Sequence, residues 1–469
     1  MLHQVDFKDF LTSGGCQTIT DLWGVEHNVR DVNIILTKSM FKGFGWLTEN
    51  NMTWNDYWKA FRKRRHALYI TQTSKEKPER FTTLNYQFLN TVSMTADEFR
   101  PNDLPLWWDD SPANDKRHWL TKETKLAYYN YCADDDFRKQ YFLSALERRW
   151  FSKKSKTYYI ARVLKKNSLF INEPVYAKEL DSKAERVLKQ YALGQLIVAG
   201  DNRYLSGDLL ELLTLFLTKG TPKTSAQKTF FNVALTNRFA ENSYYAPKAA
   251  YKHDEECTLL RNPHIARNEE IQLSCYANVE QMRKHYLGHL TDVVMVDSHT
   301  LTAERLGGAD FDGDMIKTIS DLILNACVKR NYREYSGGLD RQTSGNIPLL
   351  KIPAVEPQIR DANDWYARYE TVRNTFSSRV GQISNAALDR SVIAYNENSD
   401  SELRQRCKEE TEILAILTGL EIDSAKSGVK PDLSEYLNKK VVNRSLFLQY
   451  KKLLDSAETR GKWYEPTFQ

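Results

Sequence analysis

From Tyr191 to Ile319 the chain alternates short apolar runs with turn residues. "KTFFNVALTN", "CTLLRNP", "IQLSCYA", "DVVMVD" and "MIKTI" each read as a strand of a few residues. "GQLIVAGDNRYLSGDLLELLTLFL" predicts a strand over Leu196–Ala199, a Gly-Asp-Asn turn and a helix from about Asp208. Short strands joined by irregular loops predict a small barrel. Upstream, Val32–Leu36 reads as a strand followed by a turn at Gly43 and Gly45. A helix then opens at Thr53, with Trp54, Tyr57, Trp58 and Phe61 at helical spacing, a stripe expected to face a core. Arg100–Asp115, with three prolines and four aspartates, reads as a linker or surface loop. Helices rich in Lys, Arg and Tyr are expected from Lys122 to about Lys189, and helices return after Asp361. The fold class is α+β.

Composition narrows this little. A chain of 469 residues exceeds one ordinary domain, and 41% hydrophobic with 27% charged residues is ordinary for a globular protein. The formal charge of +5 is mild, although Arg62–Arg65, Lys153, Lys154 and Lys156, and Lys165–Lys166 form basic runs, which read as solvated faces. No apolar run approaches a membrane span, and the first residues lack a basic-then-apolar leader, so a cytoplasmic location is expected. The six cysteines include no CxxC pair, which suits reduced thiols. His253, Cys257, His264 and Cys275 match no common zinc spacing.

The chemistry concentrates in "RLGGADFDGDMIKTI", Arg305–Ile319, where Asp310, Asp312 and Asp314 alternate with Phe311 and Gly313. Carboxylates this close repel one another unless a cation sits among them. Gly307, Gly308 and Gly313 favour a loop in which the three converge. Oxygen donors without nearby His or Cys suit Mg²⁺, a hard ion that keeps waters and accepts phosphate oxygens. A calcium loop fits worse. Its sixth position is Met315 where a glycine turn is needed, and its twelfth is Asp321 where a bidentate Glu is usual.

"GADFDGD" resembles the metal-binding signature of the β′ subunit of multisubunit RNA polymerases, and that of cell-type RNA-dependent RNA polymerases and their single-chain phage relatives. Other segments extend the resemblance in order. "LLRNPHIARNEE" (Leu259–Glu270) looks like their Arg-x-Pro segment. "VGQISNAALD" (Val380–Asp389) and "LEIDSAKSGVKP" (Leu420–Pro431) look like the two helical motifs that follow. "TTLNYQFLNTVSMTADEF" (Thr82–Phe99) is similar to the segment linking two barrels. The aspartate loop is specific alone; the other four gain weight from their order.

The resemblance implies a double-psi β-barrel polymerase core flanked by helical regions. It divides the chain into an inter-barrel mixed region over 1–110, a mainly helical connector over 111–182, the second barrel with its metal-binding loop over 183–330, and a mainly helical region over 331–469. It implies a nucleotidyltransferase in which Asp310, Asp312 and Asp314 hold Mg²⁺, or Mn²⁺, for transfer from an NTP to an RNA 3′-end on a DNA or RNA template. Arg261 and Pro263 would lie beside the incoming ribose. Lys426 stands in "SAKSG" where the family usually ends Lys-Thr-Gly, so it is either a ligand-side lysine or a surface one. Gly308 stands where β′ carries asparagine. The segments that would form a first barrel, of Asp-Gly-Gln and Lys-Gly-Met type, are not found upstream of Thr18, and Lys38 and Lys42 do not replace its lysines. Either the chain is one half of a split enzyme, with a second chain carrying that barrel as the expected partner, or it is a shortened piece that does not polymerise alone. The other reading is a non-catalytic nucleic-acid-binding remnant.

Overall fold

The computed structural model describes residues 3–65, 81–92, 155–179, 195–276, 281–336 and 347–437, apart from isolated positions and short stretches within them. Cys132, Lys42, Lys153, Lys154, His253, the Arg100–Asp115 loop and most of the expected 111–182 connector lie outside the described residues.

Strands β1 (Thr18–Thr20) and β2 (Glu26–Asn28) form a small antiparallel pair. The main sheet contains β3 (Phe81–Thr83), β4 (Ile197–Gly207), β5 (Ser243–Tyr245), β6 (Glu256–Arg261), β7 (Ile271–Cys275), β8 (Val293–Val296) and β9 (Met315–Ile319) in the order β3-β4-β8-β5-β7-β6-β9. A further ladder between β4 and β9 closes six of them into a barrel, the small barrel that the short strands predict. The pairings β4–β8 and β5–β7 are parallel, and the other four in the ring are antiparallel. Closure removes the barrel's edges. Inside lie Leu205, Tyr244, Leu259, Ile271, Leu273, Val294, Val296 and Ile316, one buried apolar cluster.

The β4 strand corrects the expected break at Ala199. Gly200, Asp201 and Asn202 do not turn; they pair with Ile319, Thr318 and Lys317 of β9. Gly200 permits this because its φ is +154° and a Cβ there would come within 2.1 Å of the Thr318 carbonyl oxygen. Asp201 looked like a turn residue because it is charged, yet it is buried. It accepts a 2.6 Å hydrogen bond from Nε of the equally buried Arg203.

The helices of the first half are α1 (Phe7–Ser13), α2 (Phe44–Glu49), α3 (Trp54–Lys63), α4 (Tyr86–Thr91), α5 (Lys156–Lys166), α6 (Leu209–Leu217) and α7 (Ser225–Thr236). The α7 helix corrects the strand expected at "KTFFNVALTN". Phe230, Phe231 and Ala234 follow helical spacing and pack into the α1–α6 core, with Phe10 edge-on to Phe230 at 5.3 Å. Val32–Leu36 forms no strand. The α3 helix opens at Thr53 as expected, with a capping box between Thr53 and Asp56. Its aromatic stripe is not core: no α3 residue is buried, and the rings stack on one another, Trp54–Trp58 at 5.8 Å and Trp58–Phe61 at 5.1 Å.

Beyond β7 come α8 (Gln281–Leu287), α9 (Thr302–Arg305), α10 (Leu322–Ser336), α11 (Trp365–Phe376), α12 (Val380–Ala394), α13 (Ser401–Ser427) and α14 (Ser434–Leu437). The α12–α13 pair carries Ile383, Ala387, Leu414 and Ala415 onto Ile265 and Ala266, so the C-terminal helices dock on the loop that follows β6. Arg379 and the buried Glu421 clamp the pair. The carboxylate accepts bonds from the Arg379 backbone N–H and guanidinium, both at 2.8 Å, and the guanidinium also reaches the Pro431 carbonyl. Among the described residues no helix is long and apolar enough to cross a membrane.

Candidate active site

The aspartate loop runs from the end of α9 to the start of β9, so the barrel fixes its downstream end. β9 pairs with β6 in a register that sets Ile316 opposite Arg261, the last residue of β6. Two positions before Ile316 stands Asp314. The register therefore brings the Arg261 guanidinium onto its carboxylate, with Nε 3.2 Å from one oxygen and an η-nitrogen 3.2 Å from the other. The remaining η-nitrogen donates to the Gly307 carbonyl at 2.8 Å, so one side chain ties both ends of the loop.

Gly307 and Gly308 have φ of +66° and +68°, a left-handed turn that carries the chain from α9 into the loop. A Cβ on Gly308 would come within 2.7 Å of Ile352, and one on Gly307 within 3.1 Å of Glu269. Glu269 sits under both halves of the site. Its carboxylate accepts from the backbone N–H groups of Ile265, at 2.7 Å, and Ala266, at 3.1 Å, which shapes the segment after Pro263. Burial pushes this carboxyl up, against the pull of His264, those two N–H groups and Arg261. Sequence reading missed Glu269, and "RNEE" carries no signal that singles it out.

The three aspartates are linked pairwise rather than gathered at one point. The Asp310 N–H donates to Asp314 at 2.9 Å, and the Asp312 N–H donates to the Asp310 carboxylate at 3.0 Å. Asp312 is raised above the usual carboxylate range. A hydrogen bond shared with the Asp310 carboxyl is the main cause; burial and the charges of Asp310 and Asp314 add, and Lys426 opposes. Asp310 and Asp312 are exposed, and a Cβ on Gly313 would meet nothing within 4 Å. Exposed, mutually repelling oxygen donors with open space beside them fit a hard divalent cation.

Pro263 follows a cis peptide after Asn262 and lies next to the buried His264, whose Nε2 is 3.0 Å from the Thr91 hydroxyl. Lys426 is exposed in the last turn of α13, 3.9 Å from Asp423, and its charge reaches Asp312. Thus Arg261, Asp310, Asp312, Asp314 and Lys426 share one neighbourhood, with Pro263 beside it. Asp321 stands apart: it is buried and caps α10 through the Leu324 N–H at 3.0 Å, which leaves no calcium loop.

Among the described residues, the His, Cys, Asp and Glu ligand atoms that all lie within 4.8 Å of one another belong to Glu211, Asp297 and His299, not to the aspartate triplet. Glu211 is in the first turn of α6, and the other two follow β8. The His299 ring nitrogen lies 2.6 Å from the Glu211 carboxylate, so these two already form an ion pair when the histidine is protonated. These residues are scattered in sequence and carried no signal there.

No curated protein matches the chain. Among solved structures, the RNA dependent RNA polymerase QDE-1 from Thielavia terrestris aligns with a TM-score of 0.38 and 13% identity. The alignment covers 83% of this chain and 44% of that one, so the chain spans less than half of that structure's length. Residues 226–467, more than half of the chain, match the family model for RdRP, RNA dependent RNA polymerase. That match holds the Arg261 segment, the aspartate loop and both C-terminal helical motifs, and on it the chain belongs to the RNA dependent RNA polymerase family.

Proposed function

We propose that the chain is the metal-bearing, β′-like part of an RNA polymerase, transferring nucleotidyl groups from NTPs to an RNA 3′-end. The observation that carries this reading is the Arg261–Asp314 fork at the base of an exposed trianionic loop, inside a segment that matches the family. Asp310, Asp312 and Asp314 would hold Mg²⁺ or Mn²⁺. When bound, the ion supplies Lewis-acid polarisation of the attacking hydroxyl and charge neutralisation at the triphosphate.

The chain's own residues then do the following. Asp314 is presented by Arg261 in a fixed orientation, with the Asp310 N–H on the same carboxylate. Asp312 and Asp310 form the open lip of the loop. Arg261, half-buried, also stands where a ribose hydroxyl or phosphate oxygen can meet a planar donor. Pro263 shapes the wall beside it, and Lys426 brings an exposed positive charge to the Asp312 side for an approaching phosphate. The template is DNA or RNA, and a second chain carrying a first barrel supplies the remaining triphosphate contacts.

The test is RNA extension by purified protein, alone and with a candidate partner, in Mg²⁺ or Mn²⁺. Extension that requires the divalent ion and disappears in Asp312→Ala supports the reading. Synthesis that survives Asp312→Ala overturns it. Salt-sensitive nucleic-acid binding that ignores Mg²⁺, with no synthesis under any pairing, marks the chain as a binding remnant.

A further inference from the structure

His264 is fully enclosed, with Phe88 edge-on to its ring at 5.6 Å, and its hydrogen bonds fix where one proton sits. The Thr91 hydroxyl has a single proton and three neighbours. These are the Phe88 carbonyl at 2.8 Å, Glu270 Oε1 at 2.6 Å and His264 Nε2 at 3.0 Å. Asn331 Nδ2 donates to the Thr91 carbonyl at 3.1 Å and to Glu270 Oε2 at 2.6 Å, so both Glu270 oxygens are acceptors. The hydroxyl proton therefore goes to an oxygen, and Nε2 must supply the N–H of the third contact.

That leaves Nδ1. It is buried, makes no hydrogen bond among the described residues, and stands 4.0 Å from Glu269 Oε2. Without a further proton, a bare lone pair and a carboxylate would face each other away from water, which is costly. Oε2 already accepts the Ile265 and Ala266 N–H groups. One proton, on Nδ1 or on the Glu269 carboxyl, relieves the conflict.

The other Glu269 oxygen faces the aspartate loop. A Cβ on Gly307 would lie 3.1 Å from Oε1 and 3.9 Å from the Arg261 η-nitrogen that holds the Gly307 carbonyl. As an anion, Glu269 would be a second carboxylate competing with Asp314 for one guanidinium. As a neutral acid it leaves the guanidinium to Asp314. On the far side of the imidazole stand Glu270, 3.5 Å from Nε2, and Arg267, which donates to the Thr91 carbonyl and stacks on Tyr395.

We propose that His264 and Glu269 hold one proton between them beneath the aspartate loop, and that this proton keeps Arg261 on Asp314. Both are then positioning residues, acting on the site through the guanidinium. The raised Glu269 value agrees in direction, because burial favours the neutral acid. The pair keeps its proton at low pH and loses it as pH rises. The consequence for synthesis rests on the function proposed above; the proton itself does not.

The first measurement is the nitrogen NMR spectrum of the full chain labelled at histidine, across a pH series, with His264 assigned from its absence in His264→Gln. Its Nδ1 signal should move as the pair loses its proton. A signal that stays fixed at every pH overturns the proposal. The second measurement compares the parent with Glu269→Gln, which keeps an acceptor oxygen for Ile265 and Ala266 and cannot ionise. At low pH the two should match. As pH rises, Mn²⁺ affinity of the parent by calorimetry should climb above the variant's by about threefold or more, the scale of a partly exposed ion pair. RNA extension by the parent should fall below the variant's over the same range. A merely structural Glu269 would lower stability in Glu269→Gln and leave both ratios flat. An affinity ratio constant in pH overturns the proposal, even where both proteins extend RNA. Absence of Mn²⁺ binding in both counts against the function proposed above. In that case, or where the variant fails to fold, the histidine signal decides alone.

Discussion

Arg261 and Asp314 form a two-point ion pair that joins the end of β6 to the start of β9, 53 residues apart in the chain. The pair does two opposed things. It fixes the carboxylate in place, and it sets a permanent positive charge beside a loop proposed to attract a cation.

Arg261→Ala should therefore separate these effects. Loss of the fork and of the Gly307 contact costs about 1–2 kcal/mol of stability, read from urea midpoints. With the guanidinium gone, Mn²⁺ should bind the loop more tightly by calorimetry, while extension falls. Arg261→Lys should restore charge without the planar fork and recover little activity.

Removing a charge from the aspartate lip should not harm the fold. Asp312→Asn, free of divalent ions, is expected to melt at or above the parent temperature, because an amide keeps a hydrogen bond to the Asp310 carboxyl, the main cause of the raised Asp312 value, and sheds the burial cost and the Asp310 and Asp314 repulsion that add to it. The parent should gain melting temperature on adding Mn²⁺, and the variant should lose most of that gain.

Glu269 gives a pH signature. Its folded-state value is raised above the ordinary 4.5. The raised value means that the folded protein holds the proton more tightly, so this residue's contribution is fully present below pH 4.5 and is lost as pH rises through the folded value. Glu269→Gln removes that titration. The stability difference between variant and parent should move in the variant's favour from pH 4 to pH 7, measured by denaturant unfolding at each pH.

Two structural positions should be costly. Gly200→Ala places a methyl group against the Thr318 carbonyl at a φ that L residues avoid, and should cost roughly 3 kcal/mol or more or abolish soluble expression. Arg379→Ala strands the buried Glu421 carboxylate and should cost about 2–3 kcal/mol. Arg379→Ala/Glu421→Gln should recover part of that in a double-mutant cycle.

The strands β6, β7, β8 and β9 were legible because each is a short apolar run bounded by turn residues, and the α6 helix because Asp208 caps a leucine-rich segment. The α7 helix was not, since Phe, Val and Thr crowd a segment whose helical spacing shows only against α1. In β4 the polar Gly200-Asp201-Asn202 mimicked a turn; what holds it extended is a ladder to residues 115 or more positions away, which no local pattern reports. The α3 stripe misled in the opposite sense, because aromatic periodicity looks the same whether a helix packs on a core or on its own rings. Within the candidate site, the aspartates and Arg261 stood out by residue type. That Arg261 grips Asp314, and that Glu269 props both segments, depends on strand register and burial.

Closure of the barrel has a further consequence, for chain length. β9 enters two ladders immediately after Asp314, with Met315 opposite Tyr204 and Ile316 opposite Arg261, and the Asp314 carbonyl accepts from the Leu205 N–H at 2.8 Å. One residue added within β9 would turn the buried Ile316 and Thr318 outward on both sides at once. The register therefore fixes the distance from the last aspartate to the barrel wall, and a change of length is tolerated only ahead of the strand.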